Sequence, residues 1–169
     1  LGPEEDDAQT GDLDVREDLT LSGAGRELSV IEGLNADRVF EVQPTAALTL
    51  TALTAREGIP WQRAGSLGDG GCILARGQLR LTGVRVEECE GGLRGGAISA
   101  SSGLWMVGSV VRRGQALGGG GLSAWQAWIE NSDISENAAT TGGGIDSEAY
   151  LHVVGSRIHH NRAASGGGI

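Results

Sequence analysis

Gly-Gly-Cys-Ile at residues 70–73 is the first of five short glycine runs that each end in an aliphatic residue. The others are Gly-Gly-Ala-Ile at 95–98, Gly-Gly-Gly-Leu at 119–122, and Gly-Gly-Gly-Ile at 142–145 and at 166–169. Successive runs begin 25, 24, 23 and 24 residues apart. A period in the low twenties with aliphatic anchors is typical of a solenoid, in which each repeat forms one turn of chain.

The residues after each glycine run alternate between apolar and polar, which indicates short strands, and no stretch has a sustained helical period. In the repeat that begins at Ile73, the apolar positions are Leu79, Leu81, Val84 and Val86. The same offsets recur after Ile98 and Ile145. After Leu122 every offset is one residue shorter, which places a single deletion between Leu122 and Ala127.

These patterns predict an all-β fold, a right-handed single-stranded parallel β-helix of about six coils of about 24 residues. Each strand would pair with its equivalent one coil away, at about 4.8 Å, so that like residues stack on like. Asn137 should then stack on Asn161 at a turn, with hydrogen bonds between the amides and to the turn backbone. A left-handed β-helix is the competing solenoid, but its six-residue period does not occur.

The repeat also defines the domain organisation. Residues 1–10 are predicted to be an acidic flexible tail and residues 11–169 the solenoid. Upstream of the first glycine run, the offsets assign Val42 to the column of Ile73. A loop insertion is expected at 58–70, because Leu48 and Leu79 are 31 residues apart. The run at 166–169 opens a repeat that is incomplete at the C-terminal end, so we expect the solenoid to continue in a longer secreted protein.

Several segments resemble known repeat families. Gly-Gly-Ala-Ile (95–98), Ile-Ser-Glu-Asn (134–137) and Ile-His-His-Asn (158–161) resemble the GGAI and FxxN repeats of polymorphic outer-membrane proteins, with Ile in place of Phe. Residues 11–15, 19–25 and 37–40 resemble the opening coils of bacterial secreted right-handed β-helix proteins of the CSLREA-domain type, although the CSLREA segment itself is absent. The resemblance covers about residues 11–169. It implies an extracellular or bacterial outer-surface location, in families that are mostly uncharacterised surface proteins and adhesins.

The charge distribution argues against nucleic acid as a partner. The net charge is −9, and residues 1–41 hold 12 of the 22 acidic residues. Residues 42–169 hold 10 acidic residues and 10 arginines, so the repeat body is neutral. Phosphate binding needs a positive face, and none is predicted. The sequence also contains no membrane-length apolar run.

One outward-facing column is the best candidate for a binding site. It contains Arg80, Trp105, Trp128 and His152, so the two tryptophans should be neighbours on adjacent coils. Large exposed apolar side chains usually mark a contact site. Three interpretations stay open: cover by another segment such as the insertion with Trp61, an interface with a partner, or a platform on which sugar rings stack.

A second outward face carries alternating charges, among them Arg85, Glu87, Arg112, Asp133 and Arg157. Cross-strand ion pairs are the expected outcome, and a catalytic groove is the alternative. Lyase-like sites gather several carboxylates on one face, and here the carboxylates are flanked by arginines. We therefore assign no catalytic residue, no metal ligand and no cofactor.

Cys72 and Cys89 form the only cysteine pair in the sequence. In a secreted protein an even cysteine count permits a disulfide. The alternative is that both are small buried residues that fill their columns, Cys72 in that of Ala97 and Gly144, and Cys89 in that of Asn137. Both interpretations stay open.

The sequence favours a non-enzymatic function, as an adhesin, scaffold or spacer at a cell surface. Its partner would be a host or neighbouring-cell surface protein or polysaccharide. The alternative is a β-helix that binds or degrades carbohydrate as a lyase or hydrolase. A third possibility is assembly through end-to-end or continued solenoid contacts.

Overall fold

The computed structural model describes residues 11–60 and 68–169. The predicted tail (1–10) and the centre of the predicted insertion (61–67) lie outside the described residues. The described residues form fifteen strands and no helix. They are therefore all β, and the predicted parallel β-helix of about six turns is confirmed. No helix in these two ranges is long and apolar enough to cross a membrane.

Each coil supplies three strand segments. Coil 1 contains β1 (Leu13–Val15), β2 (Leu19–Ser22) and β3 (Val30–Glu32); coil 2 contains β4 (Phe40–Val42), β5 (Ala47–Thr51) and β6 (Thr54–Arg56); coil 3 contains β7 (Ile73–Ala75), β8 (Gln78–Thr82) and β9 (Arg85–Glu87). In the last three coils the first two segments merge: coil 4 has β10 (Ile98–Val107) and β11 (Val110–Arg112), coil 5 has β12 (Leu122–Glu130) and β13 (Asp133–Ser135), and coil 6 has β14 (Ile145–Val154) and β15 (Arg157–His159).

All the strand pairs are parallel and join equivalent segments of adjacent coils. The first and second segments form one nine-stranded sheet, and the third segments form a six-stranded sheet. The interior between the sheets is aliphatic, and four of the five anchors of the glycine runs lie fully buried within it: Ile73, Ile98, Leu122 and Ile145. The fifth anchor, Ile169, is exposed. The predicted columns therefore correspond to the core.

The predicted deletion lies at a bulge in the long strands. Ala100 pairs with Ala124 and Gly103 pairs with Gln126, so two residues of β10 face the single residue Trp125 of β12. The same shift recurs between β12 and β14. The deletion between Leu122 and Ala127 is thus confirmed and placed at Trp125.

The predicted register of Val42 is wrong. Phe40 pairs with Ile73, and Val42 pairs with Ala75 instead. The cause is the turn between β4 and β5, which has four residues (43–46), where the turn between β7 and β8 has two (76–77). Beyond that turn the predicted columns hold, because Leu48 pairs with Leu79.

Two glycines of each run are required for different reasons. The first has a left-handed backbone, as at Gly95 with φ 66°, which glycine adopts at no steric cost. The second has no room for a side chain: a Cβ at Gly96 would lie 2.1 Å from the carbonyl oxygen of Gly120 in the next coil. The runs recur because coils 3 to 5 each turn this corner against the backbone of the next coil.

The predicted asparagine stack is confirmed at the corner that follows the third segment. Asn137 donates from Nδ2 to Oδ1 of Asn161 at 2.9 Å, and its own Oδ1 accepts the N–H of Gly114 at 2.8 Å. A serine ladder that the sequence did not predict occupies another corner, where Ser109 and Ser132 each accept a backbone N–H from the preceding coil. Both ladders satisfy buried polar groups that the strands leave unpaired.

Cys72 and Cys89 are joined by a disulfide, with Cα atoms 5.5 Å apart. The sequence left open whether the two cysteines are bonded or only fill their columns, and the structure shows that they are bonded. The bond lies at the asparagine corner, one coil before Gly114, and both cysteines are buried. In coil 5 the same two positions hold Gly121 and Asn137, and the Asn137 amide fills the space that a Cβ at Gly121 would need.

Candidate functional site

The second segments of coils 3 to 6 present an outer surface that we call the aromatic face, defined by Arg80, Trp105, Trp128, Tyr150 and His152. Strand pairing places Arg80 beside Trp105, Trp105 beside Trp128, and Trp128 beside His152. The four candidate residues thus form one column, as the offsets predicted. Tyr150 was not predicted, although it lies two residues before His152 and therefore on the same side of β14.

The rings of this column stack along the solenoid axis. The indoles of Trp105 and Trp128 are parallel within 1°, with ring centroids 4.8 Å apart. Two coplanar indoles cannot approach so closely, so the rings lie face to face. The Arg80 guanidinium lies 5.0 Å from the Trp105 ring centroid, and the Tyr150 ring lies 5.1 Å from that of Trp128. Each indole therefore has a neighbour on both sides along the axis, and the Tyr150 ring is tilted by 41° to that of Trp128.

Gly103 explains how the first indole is seated. A Cβ at Gly103 would lie 2.6 Å from the Trp105 ring, so the indole packs directly over the backbone of its own strand. The Trp105 indole is half-buried in consequence, and the Trp128 indole stacked on it is half-buried as well. The column presents ring edges, a guanidinium and the phenol of Tyr150 to solvent. The two indoles are flanked by Arg80, Tyr150 and each other, so they do not offer the open ring faces that a sugar platform needs.

The prediction that the insertion covers these rings stays a prediction, because Trp61 lies outside the described residues. The described ends of the insertion meet at a different corner. A Cβ at Gly68 would lie 2.6 Å from Pro60, and the Gly68 carbonyl accepts the N–H of Gly92. This corner precedes the first segments, whereas the aromatic face belongs to the second segments.

The charged face consists largely of ion pairs between coils, as expected. Glu87 is buried and accepts hydrogen bonds from Arg112 at 2.7 Å and Arg113 at 2.9 Å. Burial disfavours the Glu87 carboxylate, but the two guanidinium groups outweigh it and hold the pKa of Glu87 below its usual value. This arrangement neutralises the carboxylate and leaves it unsuited to accept a proton from a substrate.

Asp133 is the centre of the other cluster on this face. Its Oδ1 accepts the Ser135 hydroxyl at 2.6 Å, and its Oδ2 lies 3.0 Å from Nε2 of His159. Burial opposes ionisation of Asp133, but these contacts outweigh it and lower its pKa. A serine nucleophile needs the imidazole against its hydroxyl, whereas here the carboxylate lies between them. The cluster therefore lacks the arrangement of a catalytic triad.

A buried ionic cluster lies on the outer side of the first segments, and the sequence did not predict it. Arg38 is buried and pairs with Asp12 at 2.8 Å and with Glu41, which also pairs with Arg76. Burial raises the pKa of Asp12 to about 6, against the opposing attraction of Arg38. No periodicity marks these residues, because they lie outside the inward columns that the repeat defines.

The Asp12→Asn variant should reveal the burial of Asp12 through the pH dependence of the free energy of unfolding. Folded Asp12 holds a proton at a pH where the unfolded carboxyl, at 3.8, has lost it. The Asp12 contribution to the free energy of unfolding is therefore full below about pH 4 and is lost as the pH rises through 6. We expect the wild-type value minus the Asp12→Asn value, from urea denaturation, to fall between about pH 4 and pH 7. A difference that is flat or rises over this window would contradict the burial of Asp12.

No group of three or more His, Cys, Asp or Glu side chains within residues 11–60 and 68–169 is placed to hold a metal ion. Comparison with known proteins finds no matching family model, no matching curated protein and no matching solved structure. The function must therefore be argued from the fold and its surfaces.

Proposed function

We propose that this chain is a non-enzymatic β-helix, secreted or displayed at a cell surface, which acts as an adhesin-type scaffold and binds a partner protein through the aromatic face. The observation that carries the proposal is the column of Arg80, Trp105, Trp128 and His152 on an outer sheet surface. Trp, Tyr and Arg are the residue types enriched in protein interfaces and in their energetic hot spots. The resemblance to bacterial surface repeat families supports the same location and role.

The ring geometry favours a protein partner over a polysaccharide at this face. Sugar stacking uses the open face of an aromatic ring, and the faces of Trp105 and Trp128 already contact Arg80, Tyr150 or each other. Ring edges, a guanidinium and a phenol suit a surface with both apolar and hydrogen-bonding groups. The stacking also fixes the side chains before binding, which reduces the entropy that a partner must overcome.

The rest of the solenoid supports a scaffold role by making the face rigid. The disulfide joins the beginning and the end of the coil that carries Arg80, and the asparagine and serine ladders tie the later coils together. Parallel pairing of equivalent strands keeps the column in register over four coils. A partner would therefore meet a preformed surface.

Beads coated with the intact chain should adhere to cells that carry the partner protein. On a panel of bacterial and animal cells, we expect Trp105→Ala/Trp128→Ala to reduce adhesion at least about tenfold, because hot-spot truncations cost 2 kcal/mol or more. Protease treatment of the cells should abolish adhesion, and glycosidase treatment should not.

Leu117→Ala is the control, since Leu117 is also a large exposed apolar side chain, and it lies outside the column and outside the second segments. It should adhere like the wild type. Adhesion that survives the double substitution, that depends on glycans instead of protein, or that is absent from the whole panel would contradict the proposal.

A further inference from the structure

A small pocket lies beside the bulge of the nine-stranded sheet, on the other side of the bulge from the aromatic face. Its volume is about 120 Å³, and it is lined by Asp69, Arg94, Ser99, Ala100, Ser101, Ser123, Trp125 and Glu148. The first segments of β10 and β12 form its floor, the bulge forms one wall, and the turns that precede β7 and β10 form the other. Neither the aromatic face nor the charged face shares these residues.

The single deletion in the repeat gives the pocket its aromatic wall. Trp125 is the one bulge residue of β12, where the paired strands each have two. It is 49% exposed, although it is a large apolar side chain on a strand. Within residues 11–60 and 68–169, no aromatic ring stacks on Trp125 as the rings of the aromatic face stack on one another. Its indole is therefore available to stack on a ligand.

The floor consists of paired hydroxyl groups. Ser99 and Ser123 are directly opposite in the register and lie only 7% and 3% exposed. Ser101 adds a third hydroxyl from the bulge of β10. Each hydroxyl both donates and accepts, so the floor can match a ligand that carries hydroxyl groups of its own.

An ion pair that spans two coils closes the far side. Arg94 precedes β10 and pairs with Glu148 of β14, thereby crossing coil 5. Gly118 holds the position equivalent to Arg94 in coil 5 and has no side chain to block this path. Asp69 accepts the Arg94 backbone N–H at 3.0 Å, and burial raises the pKa of its carboxyl.

From this combination we propose that the pocket binds a neutral sugar residue of an oligosaccharide, independently of the aromatic face. The indole offers a face for the C–H side of a pyranose ring, and the serines, carboxylates and guanidinium offer hydrogen bonds to its hydroxyls. The pocket has two carboxyl groups, Asp69 and Glu148, and one guanidinium, Arg94, so it disfavours a negatively charged ligand such as a phosphate or a uronate. The pocket volume of about 120 Å³ is well below the roughly 300–1,000 Å³ of sites for drug-sized ligands, so the pocket has room for no more than one sugar ring.

Titration calorimetry of the intact chain tests this with defined probes: gluco-, manno-, galacto- and xylo-configured neutral tetrasaccharides, and tetragalacturonate as the charged probe. We expect at least one neutral probe to bind and Trp125→Ala to weaken it at least about tenfold, with partial recovery in Trp125→Phe. Glu148→Gln should weaken it less, because the amide still accepts a hydrogen bond. Trp128→Ala is the matched control and should bind like the wild type.

Circular dichroism of each variant separates lost binding from lost folding, and Ser101→Ala replaces Trp125→Ala if the latter does not fold. The inference would be overturned if no neutral probe binds, if tetragalacturonate binds better than every neutral probe, or if Trp125→Ala leaves affinity unchanged. The adhesion assay depends on Trp105 and Trp128, whereas the calorimetry depends on Trp125. A negative calorimetry result would therefore not contradict the proposed function, and a negative adhesion result would not contradict sugar binding in the pocket.

Discussion

Replacement of Gly96 by alanine should lower the free energy of unfolding by at least about 3 kcal/mol, at the top of the range for overpacking or above it. The added Cβ would lie 2.1 Å from the carbonyl oxygen of Gly120 and 2.3 Å from the backbone nitrogen of Gln115. Both are backbone atoms in the segment that joins coil 4 to coil 5, so no side-chain rotation can relieve the overlap. Relief requires adjacent coils to separate, which breaks the ladder on both sides.

This expectation is a steric one and does not depend on backbone conformation. Gly96 is not among the glycines with positive φ, so alanine can adopt its φ and ψ. Where the conformation suits both residues, glycine-to-alanine changes stabilise a protein by about 0.4–1 kcal/mol through the unfolded chain. A large loss at Gly96 would therefore measure the closeness of the coils.

Gly83 offers the matched control. It has a left-handed backbone with φ 62°, but nothing lies within 4 Å of the position of its Cβ. Gly83→Ala should cost about 1–2 kcal/mol from backbone conformation alone. Urea denaturation followed by circular dichroism measures both variants. If Gly96→Ala costs no more than Gly83→Ala, the coils are not packed backbone to backbone at the glycine corner.

The sequence predicted the inward columns because each coil repeats the same chemistry at the same offset. It misplaced Val42 because no glycine run precedes that coil, and the extra residues of the turn at 43–46 were invisible without such an anchor. It could not predict the cluster around Arg38, since a buried ionic group outside the columns has no period. Tertiary contacts alone define it.

The candidate site shows the same division. Column membership of Trp105 and Trp128 followed from the offsets, because strand side chains alternate. The orientation of their rings did not, since it depends on side-chain torsions and on the missing Cβ of Gly103. The deletion between Leu122 and Ala127 was visible in the sequence and marks the bulge at which Trp125 is exposed. The deletion does not predict the ion pair between Arg94 and Glu148, which crosses coil 5.

The disulfide between Cys72 and Cys89 should make a large single contribution to the stability of the solenoid. Cys72 and Cys89 are 17 residues apart, and closing a loop of this length removes about 3 kcal/mol of unfolded-chain entropy in the loop-closure model. Cys72→Ala/Cys89→Ala should therefore lower the free energy of unfolding by about 3 kcal/mol. It also leaves the Gly58 N–H without the sulfur of Cys72, which lies 3.3 Å away. Urea denaturation without reductant measures this loss.

Cys72→Gly/Cys89→Asn tests whether the disulfide and the asparagine stack fill the same corner. The pair copies Gly121 and Asn137, where the Asn137 Oδ1 accepts an N–H from the preceding coil and its Nδ2 donates to the carbonyl of Val111. An asparagine at position 89 would accept from Gly58 in the same way. We expect this variant to be about 1–2 kcal/mol more stable than the alanine pair, because its hydrogen bonds satisfy buried groups. Equal or lower stability would mean that the corner of coil 3 differs from those of coils 5 and 6, and that the disulfide is not interchangeable with the amide stack.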